Sequence, residues 1–180
     1  IYALDISNGN AVILNHYFNK GNASFGDENN KTLSLQMYES ASALDETNDT
    51  SLLNNLAASA LYAKEYPKAI AAYTKMTEGK IGGAGSYTSI ARICNEMKDS
   101  TKVFETAKKG RTLYPNDGGL LDIETNYYLH RGKSDEALKN LNQAITARPQ
   151  EANLYLVRGG VYDKIARPDP DANGKTASPA

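Results

Sequence analysis

Tryptophan is absent from this 180-residue chain, cysteine occurs once, and histidine occurs twice. The lone Cys94 excludes an internal disulfide framework and a multi-cysteine zinc site. His16 and His130 stand far apart, and neither has a cysteine or carboxylate at helical ligand spacing, so no metal is expected. No apolar run approaches the roughly 18 residues of a membrane span. A formal net charge of −1 gives no general pull towards nucleic acid or an anionic membrane. The chain opens on Ile1-Tyr2-Ala3-Leu4, with neither an initiator Met nor a signal-like segment. A processed product or a cut piece is expected, soluble, with the compartment open between cytoplasm and periplasm. Apolar residues make up 41% of the chain, enough for a core of fair size without staples.

What the chain does have is a repeat. Pro115 and Pro149 each close a helical-looking segment and stand 34 residues apart. The same step links Ala69, Val103 and Ala137. It links Leu53, Tyr87, Leu121 and Tyr155, and again Ala57, Ala91, Thr125 and Gly159. Independent columns in one register point to a stacked array of small units. Between residues 50 and 165 the apolar positions recur at three and four, as amphipathic helices require.

These residues resemble the tetratricopeptide repeat. In 118–151, Leu121 fills the bulky slot, Tyr128 the aromatic slot and Gly132 the turn, with Ala137 and Ala144 in small slots and Pro149 closing. Residues 50–83 carry Leu53, Leu56, Ala57, a Tyr66-Pro67-Lys68-Ala69 turn and Tyr73. Residues 84–117 carry Tyr87, Ile90, Ala91, Cys94, Val103, Ala107, Gly110 and Pro115. Two positions depart from the pattern: Thr125 where Gly or Ala is usual, and Ile81 where a closing proline is usual.

The resemblance implies an all-α, right-handed α-solenoid of stacked antiparallel helix pairs, about ten helices with no sheet. The units expected are about 11–49, 50–83, 84–117 and 118–151, followed by a first helix at 152–165. Residues 1–8 read as the tail of an earlier unit, and the proline- and glycine-containing 166–180 as a linker or loop. The apolar Tyr155, Val157 and Tyr162 favour an array that continues past that last helix over a solvated cap.

Other motifs resolve into structure rather than chemistry. Gly174-Lys175-Thr176 resembles the end of a phosphate loop, but Asp169 stands where its first glycine belongs. The glycine-rich Gly79 to Gly85 reads as an inter-repeat turn. Cys94 reads as a buried small hydrophobe. The pairs Asp27-Glu28, Asp45-Glu46 and Asp135-Glu136 fall at turns or helix starts, where they suit the helix dipole. Three Asn-X-Ser/Thr triplets, at Asn22, Asn30 and Asn48, are near chance in an asparagine-rich chain.

Charge is uneven. Residues 1–49 hold two basic against seven acidic residues, and residues 50–117 hold ten against six. The basic cluster Lys98, Lys102, Lys108, Lys109 and Arg111 reads as a solvated outer face on second helices. In the family the concave face, lined by first helices, takes peptides or partner helices. The inward candidates here are Asn54, Asn55, Tyr62, Thr88, Arg92, Glu96, Asp122, Asn126 and His130. Arg92, Glu96, Asn126 and His130 are expected to form the recognition surface, with Arg92 as anchor. Some family members clamp a chaperone's C-terminal carboxylate, but the corresponding places (Asn54, Asn55, Ala58, Thr88, Ser89, Gly119 and Ile123) lack the paired cations. A non-enzymatic scaffold for a protein or peptide is therefore expected, without cofactor. The alternative is an accessory repeat domain of a larger enzyme, transport or envelope complex.

Overall fold

Apolar stripes at helical spacing oblige helices to bury them against one another. The computed structural model describes residues 2–27 and 30–167. Its described residues form nine α-helices and no strand. They are α1 (Tyr2–Ser24), α2 (Lys31–Leu44), α3 (Thr50–Tyr62), α4 (Tyr66–Glu78), α5 (Gly83–Glu96), α6 (Ser100–Leu113), α7 (Gly118–His130), α8 (Ser134–Ala147) and α9 (Ala152–Ala166). The fold is an all-α helical-repeat solenoid. Among the described residues no helix is long and apolar enough to cross a membrane. The chain divides into two compact units, Ile1–Lys98 and Asp99–Ala180.

In the first unit each helix from α1 to α5 packs on the next. Its core combines Leu35, Tyr38 and Ala41 of α2 with Leu52, Leu56, Ala57 and Ala60 of α3, Ala69 and Ala72 of α4, and Ile93 of α5. The alanines have no side chain beyond Cβ, so helix backbones approach closely around them. In the second unit α6 packs on α7, α7 on α8 and α8 on α9. Leu121, Leu141, Ala144, Leu154 and Val161 form a core cluster there.

Turn chemistry repeats with the fold. Lys64, Lys98 and Gly132, 34 residues apart, all take left-handed backbone, with φ of 60, 61 and 67°. Each donates its N–H to the carbonyl three residues back: Leu61 (3.0 Å), Asn95 (2.9 Å) and Leu129 (3.2 Å). Glu65 and Lys133 then reach five residues back, to the carbonyls of Ala60 (2.7 Å) and Tyr128 (2.9 Å). These bonds satisfy the last carbonyls of α3 and α7, which would otherwise lack partners. At the helix starts, Asp49, Asp99 and Asp117 accept from the backbone N–H of Leu52, Lys102 and Leu120.

Several expectations change. Residues 2–8 are not a separate tail, because α1 runs unbroken from Tyr2 to Ser24. Tyr66-Pro67-Lys68-Ala69 is the first turn of α4 rather than the connection before it. Proline suits that place, where its missing N–H would have no intrahelical acceptor. The glycine-rich stretch is a turn only up to Gly82, and Gly83 and Gly85 lie in α5. Gly82 has φ of 76°, and a Cβ there would collide with Ser86 Oγ and Met76 Cε, so both backbone and space demand glycine. The Gly-Lys-Thr motif and residues 168–180 of the expected linker lie outside the described residues.

Candidate partner-binding surface

The helical repeat fixes where the nine candidates stand. Asn54, Asn55 and Tyr62 are on α3, and Thr88, Arg92 and Glu96 on α5, all in the first unit. Asp122, Asn126 and His130 are on α7, in the second. Thr88, Arg92 and Glu96 follow one another at four-residue spacing, as do Asp122, Asn126 and His130, so each set forms one stripe on its helix. All nine are exposed or half-buried, while Leu53, Ala57 and Ala60 on α3 and Tyr87, Ala91 and Cys94 on α5 are buried.

Some of these side chains already have partners. Asn55 donates to Asn22 Oδ1 at 3.4 Å, and the Tyr62 hydroxyl donates to the Gly26 carbonyl at 3.3 Å. Thr88 donates to the Ala84 carbonyl of its own helix at 3.2 Å. Asp122 accepts from Arg148 at 3.2 Å, and Arg148 also pairs with Glu151 at 2.8 Å. Asn54, Arg92, Glu96, Asn126 and His130 make no hydrogen bond or ion pair among the described residues. Arg92 and Glu96 belong to one unit and Asn126 and His130 to the other.

One basic residue departs sharply from its expected place. Arg111 is not on a solvated face: its side chain is 15% exposed and pairs with Glu124, itself 7% exposed. The same guanidinium donates to Asn140 Oδ1 at 3.1 Å and to Gln143 Oε1 at 2.5 Å. Asn140 in turn donates to Glu124 Oε2 at 3.2 Å. A charge so far out of water persists only when paired and hydrogen-bonded, as this one is. Arg111 Nε is buried without a hydrogen-bond partner. Beside the network, burial raises the Tyr128 hydroxyl pKa above its ordinary value, with the Glu124 and Glu136 charges adding to it against Arg111.

Comparison of folds finds close structural counterparts at low sequence identity. The crystal structure of MamA protein aligns with a TM-score of 0.64 and 14% identity, over 84% of this chain and 81% of that one. YrrB, described as a TPR protein with an unusual peptide-binding site, aligns at 0.57 and 16%, over 82% and 75%. The APC/C hetero-tetramer Cut9-Hcn1 aligns at 0.53 and 19%, over 81% and 29%. The chain has the tetratricopeptide-repeat fold. No family model matches the sequence, and no curated protein matches it.

In a tetratricopeptide-repeat frame, α3, α5, α7 and α9 are first helices in one register. The stripe 54–58–62 recurs as 88–92–96 and 122–126–130 and continues on α9 as Leu156, Gly160 and Lys164. Candidate selection from polarity alone misses the α9 stripe, because Leu156 is apolar yet 77% exposed. Gly160 and Lys164 line a cleft of about 420 Å³ with Val157, Val161 and Leu129. The 34-residue step applied to Asp122 would have found it.

Proposed function

We propose that this chain is a non-enzymatic interaction scaffold that holds a peptide or protein segment on an exposed first-helix stripe, that of α3 and α5 in the first unit or that of α7 in the second. The observation that carries the reading is the division of labour on those helices. One face of α5 buries Tyr87, Ala91 and Cys94, while Arg92 and Glu96 stand exposed with no partner among the described residues. On α7, Asn126 and His130 stand likewise opposite buried Leu121 and Thr125. Such groups contribute little to the core and remain available for directional contacts. YrrB, which shares the fold, is described by its peptide-binding site, and that supports the same class of function here.

Binding is favoured over catalysis by what the clustered charges do. Arg111 with Glu124, and Arg148 with Asp122 and Glu151, are tied to one another in ion pairs. Side chains tied in this way hold helices and turns together, a structural task. The reading is tested by selecting peptides on the folded chain from a random display library. Hydrogen exchange of the complex should then show protection on α3, α5 or α7. Protection confined to the second helices α4, α6 and α8 would overturn it.

A further inference from the structure

The second unit carries a cleft that the first-helix stripes do not include. It measures about 430 Å³ and opens between α6, α7 and α8. Its floor is the Arg111–Glu124 pair with Asn140 and Gln143. That floor is close to neutral, since each charge is met by its opposite. Lys108 of α6 and Lys139 of α8 line the same cleft from two different helices. Both are exposed, and neither has a carboxylate partner among the described residues. Glu136 also lines the cleft, but its carboxylate lies 3.8 Å from the Lys133 ammonium. Thr112 and Tyr128 complete the lining, with the Thr112 hydroxyl donating to the Lys108 carbonyl at 3.2 Å.

We propose that this cleft is a second recognition site, which takes the Asp or Glu side chains of an acidic protein segment between Lys108 and Lys139. Charge complementarity supports it: two unpaired ammonium groups over a neutral, polar floor attract a carboxylate. Helical geometry keeps the site apart from the first-helix stripe. Glu124 and Tyr128 lie on the side of α7 away from Asp122, Asn126 and His130, at 100° per residue. The site therefore stands or falls independently of the stripe reading. An acidic segment entering it would meet α6 and α8, the second helices.

The test uses a fluorescein-labelled octaglutamate peptide, titrated with the whole chain and followed by anisotropy at about 50 mM salt, where surface charge is weakly screened. Wild type is expected to bind saturably, and more weakly as salt rises. Lys108→Ala with Lys139→Ala should weaken binding at least tenfold. Lys102→Ala with Lys109→Ala removes the same net charge from α6 outside the cleft, and should weaken it less than threefold. All four positions are exposed, so circular dichroism should show every variant folded. Absence of saturable binding by wild type would overturn the proposal. So would equal losses in the two double variants, which would mark a general basic field rather than a site.

Discussion

Arg111 on α6 and Glu124 on α7 form an ion pair whose side chains are 15% and 7% exposed. They stand thirteen positions apart in the sequence, and the pair ties the two helices together where they pack. Glu124 occupies the column filled by Leu56 on α3 and Ile90 on α5, both buried. A charge has replaced an apolar side chain, and Arg111, Asn140 and Gln143 surround that substitution.

Breaking that pair from one side leaves the other charge buried. Arg111→Ala or Glu124→Ala should each lower unfolding free energy by about 3 kcal/mol or more, measured by urea denaturation. Replacing both together, Arg111→Met with Glu124→Leu, restores the apolar character of the column. The double variant should recover most of the loss. A double variant as unstable as the sum of the singles would show that the pair is not the source.

The left-handed lysines give a prediction of opposite sign. Lys64 and Lys98 hold φ near 60° with a Cβ present, where Gly132 holds the same turn without one. The left-handed region costs a non-glycine residue roughly 1–2 kcal/mol, offset in part by glycine's greater unfolded-state entropy. Lys64→Gly should therefore raise stability by about 0.5–1 kcal/mol and Gly132→Ala should lower it by about 1 kcal/mol. Thermal melts of the two variants beside wild type read both signs at once.

How much of this was legible in the sequence depends on what each residue reports. The small columns, Ala57 and Ala91 with Ala69 and Ala137, announce close helix packing, and all four are buried. Arg111 reads as solvated because it stands among lysines in a basic run. Yet Ala107, Gly110 and Arg111 sit at i, i+3 and i+4, and the first two are buried, so the stripe itself marked Arg111 as inward. Its partner was not readable at all, because an ion pair between helices depends on packing that one helix cannot encode. Tyr66-Pro67 reads as a connection in the sequence because proline signals both turns and first helical turns, and only the cap geometry separates them.

The α2–α3 connection supplies a pH dependence. Asp45 accepts from the Thr47 N–H (2.9 Å), the Thr47 hydroxyl (2.6 Å) and the Asp49 N–H (2.7 Å). Burial pushes its carboxyl pKa up, but those hydrogen bonds and Lys75 outweigh it and hold the value below the ordinary carboxylate range. A folded pKa below the unfolded one contributes stability that is full above the unfolded value and fades as pH falls through the folded value. Asp45→Asn should cost about 1 kcal/mol at neutral pH. The gap from wild type should close as the solution is acidified below the usual carboxylate range, when melts are compared across pH.

If partners are gripped by the first-helix stripes, as proposed, Arg92 is the strongest single contact. Arginine's fixed fork of donors is enriched among side chains whose truncation costs on the order of 2 kcal/mol or more. The deciding measurement is isothermal titration of a display-selected peptide against wild type, Arg92→Ala, and Lys109→Ala as an exposed outer-helix control. Arg92→Ala should bind with at least a tenfold weaker Kd and Lys109→Ala with an unchanged Kd, with all three chains folded. An Arg92→Ala chain that binds as tightly as wild type would contradict the proposal.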